Sequence, residues 1–311
     1  MKFKAKFLNT SAAAPAMEMP TVSDPTQTSE FKSWFKGSKV VDRIGRPRVV
    51  FHGSTHNFEK FDMSRGNPEN YYGKGLYFTD SKVDVGNYGT HTGPDLTGRI
   101  ERRVEQIMEQ EDGDVPDYGT LEYEVERLKA EEKAKQELIG GNKGVVYLTY
   151  LRMLNPVVVS ANGGTEFYID YNEETGNETG SGEKLAQACI TVGRELGVDG
   201  QRVWTDAWGT GNLYDDGFSA YDFEKAVRNG DSLIDDLEGG SGVFIAAVYR
   251  AMGYDGIILK NADKQFNMNM SPGTTHYIVW NPRQVKSAIG NSGKFNPRSP
   301  RMTASDDTML G

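Results

Sequence analysis

Five short runs dominated by β-branched and aromatic residues limit what this chain can fold into: RVVFHGS (48–54), KGLYFTD (74–80), GVVYLTYLRML (144–154), DGIILK (255–260) and HYIVW (276–280). Each is bounded by Gly, Pro, Asn or Asp and is dominated by the residue types that favour strands. Their spacing is irregular, and helix-forming sequence lies between them. Regular βαβ repeats would space them evenly, so the reading is an α+β fold.

Up to about Thr28 the chain is rich in Ala, Pro, Ser and Thr without periodicity, which reads as a disordered leader over 1–28. Order is expected from SEFKSWF, where Phe31, Trp34 and Phe35 recur at helical spacing behind Ser29, a residue able to cap the helix. A main domain is expected over 29–295, interrupted twice. The stretch from about 98 to 140 is highly charged and reads as a surface helical hairpin broken at DGDVPDYG. The stretch from about 163 to 242 opens with a polar loop and continues into helices near Lys184–Leu196 and Tyr221–Val227. SGVFIAAVYRAMGYDGII reads as a helix closed by Gly253 and followed by a strand. Residues 296–311 read as a flexible tail.

The formal charge of −9 argues against a general phosphate-backbone binder, which needs lysine and arginine to displace counterions, and favours partners with basic surfaces. No apolar stretch is long enough for a membrane-spanning helix. The basic start MKFKAKFLNTSAAAPAM resembles a secretion signal only until Asn9, Thr10 and Ser11 interrupt its apolar core, so the expected location is cytoplasmic. The one cysteine, Cys189, cannot form an internal disulfide and lies in a stretch with amphipathic helical periodicity, where it reads as a small buried hydrophobe.

Several compact motifs fail on their own chemistry. His52 and His56 have zinc-ligand spacing, but the glutamate of HExxH is missing and the pair straddles a strand end. DGDVPD puts Pro116 where a calcium loop needs an oxygen ligand. GKG at Gly73 lacks the remainder of a phosphate-binding loop, and GTGNL and GGSG are isolated glycine runs. No metal is expected. What survives is a distributed set: His52-Gly53-Ser54 at a strand end, YYGKGLYFTDSKVDVGNY (71–88), and THYIVWNPRQVKSAIGNSGKF (275–295).

These segments resemble the catalytic core of ADP-ribosyltransferases of the diphtheria-toxin and poly(ADP-ribose) polymerase branch, with its motif of histidine, tyrosine and a third, usually acidic, residue. The resemblance is closer still to transferase domains in the large polyvalent proteins of phages and mobile elements. It rests on FKSWFKGSKVVDRIGRPRVVFHG (31–53), the turn from Leu148 to Val159, GYDGI (253–257) and YIVWNPRQVKSAIGNSGKFNPRSP (277–300), and it leaves the two interruptions outside. It implies a split β-sandwich of two mainly antiparallel sheets around an NAD cleft, with NAD as substrate. It further implies that His52 donates to a ribose hydroxyl and that the Gly53 backbone pairs with the nicotinamide carboxamide. Tyr77 and Tyr88 would sandwich the nicotinamide ring, and Ser54, Tyr72 and Gly73 would complete the site. Val85 stands where the polymerases place a serine, so that contact is lost or passes to Ser54.

The third motif position, directly before YIVW, is His276 in place of a glutamate. A carboxylate there stabilises the cationic ribose left as nicotinamide departs, and neutral imidazole carries no such charge. The resemblance therefore implies a mono-ADP-ribosyltransferase with catalytic residues His52, Tyr77 and His276, acting on a macromolecule, with a host protein preferred over a nucleic acid. The alternative is a catalytically inactive module that binds NAD, ADP-ribose or a partner. Asp255 in GYDGI could supply a carboxylate but reads as part of a structural turn.

Overall fold

The apolar runs do become strands. The computed structural model describes residues 24–54, 57–89, 94–110, 116, 118–139, 145–163, 167–168, 170–172, 174, 177–207, 217–230, 234, 237–266, 270–289 and 296–303. Its strands are β1 (Val50–Ser54), β2 (Leu76–Thr79), β3 (Val145–Leu151), β4 (Val157–Ser160), β5 (Asp170–Asn172), β6 (Asn177–Thr179), β7 (Gly256–Lys260), β8 (His276–Val279) and β9 (Val285–Ser287). Its helices are α1 (Ser29–Phe35), α2 (Lys82–Gly89), α3 (Pro94–Gln110), α4 (Leu121–Ile139), α5 (Ser181–Leu196), α6 (Gly200–Ala207), α7 (Ala220–Asn229), α8 (Gly240–Ala251) and α9 (Ala262–Phe266).

Seven strands form one sheet in the order β4-β7-β8-β2-β1-β3-β9, and β5 with β6 makes a separate two-stranded ribbon. Every pairing in the large sheet is antiparallel except β4 with β7. One continuous sheet thus stands where two were expected, but its halves are joined thinly. β1 and β2 share the single pair Phe51↔Thr79, whereas β1 and β3 share five pairs and β2 and β8 share four.

The parallel pair explains the long interruption at 163–242. Parallel neighbours cannot be joined by a hairpin, so the chain leaving Ser160 must cross over before it returns at Gly256. Helices α5 to α8 make that crossing, and their apolar faces pack on the sheet. Leu185, Cys189, Val192, Phe223, Val227, Phe244, Ile245 and Tyr249 join Val157, Val159, Ile257, Leu259 and Ile278 in the largest core cluster. The opposite face carries a second cluster containing Val50, Phe61, Phe78, Ile258, Tyr277, Val279 and Met302. Strands β7 and β8 are therefore covered on both faces, which is why GIIL and HYIV read as unbroken apolar runs.

The expected charged hairpin is formed by α3 and α4, held together by Val104, Ile107, Ala130 and Ala134. Helix α1 is capped by Thr28, whose hydroxyl accepts from the Phe31 N–H at 3.2 Å, and not by Ser29, which already lies inside the helix. Helix α8 ends as the sequence suggested: Gly253 takes φ +85°, and the Tyr254 N–H returns to the Tyr249 carbonyl. Residues 296–303, expected to belong to a flexible tail, are docked. Met302 is buried, its N–H donates to the Glu59 carbonyl, and the fully buried Lys286 ammonium donates to the Ser299 and Arg301 carbonyls at 2.8 and 2.7 Å. The calcium-like DGDV, His56, the greater part of the expected leader and the end of the expected tail lie outside the described residues.

Candidate active site

The thin joint between β1 and β2 brings the His52 side chain to the Tyr77 backbone, but the two side chains pack on opposite faces of the sheet, His52 against Phe61 and Phe78 and Tyr77 against the crossover core. Extending the register beyond Phe51↔Thr79 would set Gly53 opposite Tyr77, but the ladder stops. The Tyr77 carbonyl is instead taken by the His52 side chain, with Nδ1 2.7 Å from the oxygen. A carbonyl can only accept, so Nδ1 carries the proton. Burial pushes the His52 pKa down against the raising effect of that bond, so the ring is neutral and Nε2 presents a lone pair. With Nδ1 committed to the Tyr77 carbonyl, the ring is set to accept at Nε2, where the resemblance implied a donor. The imidazole is walled by the Phe61 and Phe78 rings at 4.9 and 5.4 Å, with Phe58 and Tyr147 at 6.2 Å. Gly53 and Ser54 continue β1, paired with Val146 and Val145 of β3.

Tyr77 is fixed through its hydroxyl, which donates to the Gly73 carbonyl at 2.8 Å and accepts from the Tyr72 N–H at 3.0 Å. What Tyr77 offers a ligand is its half-buried ring. Gly73 is demanded twice. Its φ is +63°, and a Cβ there would stand 2.8 Å from Val243 on α8. Gly242 on α8 meets the same segment from the other side, where a Cβ would fall 2.4 Å from the Tyr71 carbonyl oxygen. The glycine run dismissed as unspecific is what lets α8 abut the loop carrying Tyr71, Tyr72 and Gly73.

Tyr72 does not face a ligand, contrary to its expected place among the NAD-binding residues. Its side chain is fully buried, and its hydroxyl donates to Glu224 of α7 at 2.8 Å. Tyr249 of α8 donates to the other oxygen of the same carboxylate at 3.0 Å. Burial dominates at Glu224 and pushes its pKa up to about 7. Arg228, one turn along α7, lies 3.6 Å from the Tyr71 ring centroid and donates to the Tyr71 carbonyl at 2.8 Å. The crossover helices therefore hold the loop that holds Tyr77. A glutamate and an arginine in a helix are ordinary surface residues to a sequence reader, and nothing in YDFEKAVRN marks Glu224 as buried or Arg228 as half-buried.

His276 lies on β8 opposite Thr79 and beside Leu259 of β7, with 6% of its surface exposed. Because Tyr77 pairs with Ile278 and Thr79 with His276, Tyr77 and His276 are diagonal neighbours on one face, about 7–8 Å apart at Cα. Burial lowers the His276 pKa, and Asp84 and then Asp80 push it back up. Asp84, on α2, is itself buried and was not singled out by its sequence context. Val85 is buried beside it in the same helix. Tyr88 also belongs to α2, and its side chain lies outside the described residues.

Two other candidates resolve simply. Asp255 accepts from the Leu154 and Asn155 N–H groups at 2.6 and 3.0 Å, which makes it the turn residue it was read as. Cys189 is fully buried and its thiol pKa is raised by desolvation, which suppresses thiolate chemistry. Among the described residues no group of three or more His, Cys, Asp or Glu side chains is placed to hold a metal, and no helix is long and apolar enough to cross a membrane.

His52, Tyr77 and His276 stand on three adjacent strands, β1, β2 and β8. The chain belongs to the family described as ADP-ribosyltransferase in polyvalent proteins, whose family model matches residues 42–110 and 126–295. The family's transferases use NAD as substrate. The match runs through the crossover helices and most of the α3–α4 hairpin, so the segments expected to lie outside the resemblance are largely inside it. No curated protein and no solved structure gives a significant match.

Proposed function

We propose that the protein is a mono-ADP-ribosyltransferase that moves ADP-ribose from NAD to a macromolecular acceptor, a protein by preference, and releases nicotinamide. The observation that carries the reading is the joint between β1 and β2, where the His52 imidazole has replaced the backbone ladder at the Tyr77 carbonyl. We read this joint as the line along which the sheet opens into the two halves of a transferase cleft. There the His52 Nε2 accepts from a ribose hydroxyl and the Tyr77 ring lies against the nicotinamide.

In the reaction the glycosidic bond between the ribose C1′ and the nicotinamide nitrogen breaks, and its electron pair neutralises the pyridinium. The acceptor's nucleophile closes on C1′ from the opposite side. Holding NAD bent with C1′ facing the acceptor supplies acceleration by positioning, and His52 fixes the ribose during the displacement. The histidine at 276 supports transfer of a single unit, because polymer growth asks for a carboxylate that orients the hydroxyl of the previous unit.

The test is transfer of label from NAD to proteins of a cell lysate. The wild type should label discrete acceptors, and His52→Ala and Tyr77→Ala should each reduce labelling by about 100-fold. His276 also favours a second reading, an NAD-binding module without catalysis. Saturable NAD binding with neither transfer nor hydrolysis would establish that reading instead.

A further inference from the structure

The chain between β2 and α2 passes directly beside His276, and its polar side chains are arranged around the entry to β8. Thr79 Oγ1 lies 3.1 Å from Thr274 Oγ1, and Ser81 Oγ lies 2.9 Å from Ser271 Oγ. Asp80 accepts from the Thr275 N–H at 2.9 Å, and its other oxygen is paired with Arg48. Asp84 accepts through Oδ1 from both the N–H and the hydroxyl of Ser271, each at 2.8 Å. These contacts fix α2 to the segment that delivers His276.

Asp84 differs from Asp80 in two ways. It is 2% exposed and has no cationic partner among the described residues, whereas Asp80 is neutralised by Arg48. Its second oxygen, Oδ2, is buried and makes no hydrogen bond within those residues. Oδ1 is matched by the Ser271 donors, but a buried carboxylate oxygen without a hydrogen bond is costly, and an enzyme keeps one where the charge acts on something. The carboxylate stays ionised, because the Ser271, Thr274 and Ser81 contacts together outweigh a desolvation that alone would raise its pKa. Among the groups acting on His276, Asp84 has the largest electrostatic effect, Asp80 follows with Arg48 attached, and the facing residue from β7 is the apolar Leu259.

Resting on the transferase reading above, we propose that Asp84 is a positioning residue that supplies, through His276, the negative charge missing from the third position of the motif. The acceptor nucleophile forms its bond to C1′ as the bond to nicotinamide breaks, and the proton released by the nucleophile passes to His276. Alone, the resulting imidazolium would add positive charge beside the cationic ribose. With the Asp84 charge acting on it the pair is neutral overall, so the proton is taken without opposing the developing charge. The acid of the usual motif is thus divided between two residues on different elements.

The test is a two-by-two comparison of NAD hydrolysis and transfer in wild type, Asp84→Asn, His276→Glu and the double variant. Asparagine retains an oxygen for the Ser271 donors while removing the charge. Asp84→Asn should lower kcat about 10- to 100-fold with KM for NAD within about twofold, and should move the acid limb of the pH profile to lower pH. With glutamate at 276, removing the Asp84 charge should cost less than about threefold. Independently of activity, the His276 ring protons followed by NMR should titrate at lower pH in Asp84→Asn than in wild type. Asp84→Ser replaces the asparagine variant if circular dichroism shows that variant unfolded.

An equal cost of the Asp84 change in both backgrounds, or a His276 titration unmoved by it, would overturn the proposal while leaving the transferase reading intact. A wild type that neither transfers nor hydrolyses NAD would overturn both.

Discussion

Tyr77 uses its hydroxyl on the protein and, in the proposed site, its ring on the ligand, and substitution can separate the two. Tyr77→Phe strands the Tyr72 N–H and the Gly73 carbonyl, which were matched at 3.0 and 2.8 Å. The expected cost is about 1–2 kcal/mol of stability, seen as an earlier urea midpoint, with the KM for NAD changed less than about threefold. Tyr77→Ala removes the stacking surface as well and should raise KM more than about tenfold. A phenylalanine variant that loses NAD affinity as severely as the alanine variant would mean that the hydroxyl, not the ring, meets the ligand. That His52, Tyr77 and His276 stand on strands was legible from the apolar runs that contain them. The tautomer of His52 was not, because it depends on where a backbone ladder stops. Asp84 and Glu224 were not, because their importance comes from burial, and carboxylates in helices are usually solvated.

At the level of elements, the strands announced themselves as apolar runs, whereas the crossover from β4 to β7 was taken for an insertion. Only pairing reveals that β4 and β7 are parallel, and only a parallel pair requires the intervening helices. The consequence is a buried carboxylate, Glu224, that joins the crossover to the Tyr71–Gly73 loop. Its pKa is raised from 4.5 to about 7, so the folded protein binds more protons than the unfolded chain between those pH values. The stability it permits is therefore greatest at or below about pH 4.5, falls as pH rises and is fully reduced above about pH 7, a penalty of about 3 kcal/mol. Glu224→Gln keeps an acceptor for one tyrosine hydroxyl and removes the titration. The Tm difference between variant and wild type should grow in the variant's favour from pH 4.5 to 7 and then level off. A difference independent of pH would show that the carboxylate keeps its ordinary pKa in the fold. A second element-level expectation concerns the docked C-terminal segment. Met302 packs in the cluster that contains Phe61, the ring nearest His52, so Met302→Ala should cost about 2–5 kcal/mol in urea unfolding and raise the KM for NAD. An unchanged KM at reduced stability would confine Met302 to packing.

Over the whole molecule the charge is −9, while the proposed chemistry asks the protein to bring a macromolecular nucleophile to a bound dinucleotide. An acidic surface attracts basic protein segments and repels phosphate backbones, and that attraction extends only about 10 Å at 0.1 M salt. Acceptor capture and NAD cleavage should therefore respond differently to ionic strength. In the proposed site NAD meets His52 and Tyr77 through short-range contacts, so its hydrolysis in the absence of acceptor should change less than about twofold between roughly 50 and 500 mM salt. Labelling of a basic protein acceptor depends on long-range encounter and should fall several-fold over the same range. Parallel measurements of nicotinamide release and acceptor labelling separate the two. If both stay constant, the net charge has no part in acceptor choice, and recognition must come from a local surface; a nucleic-acid acceptor would then compete on equal terms with a protein.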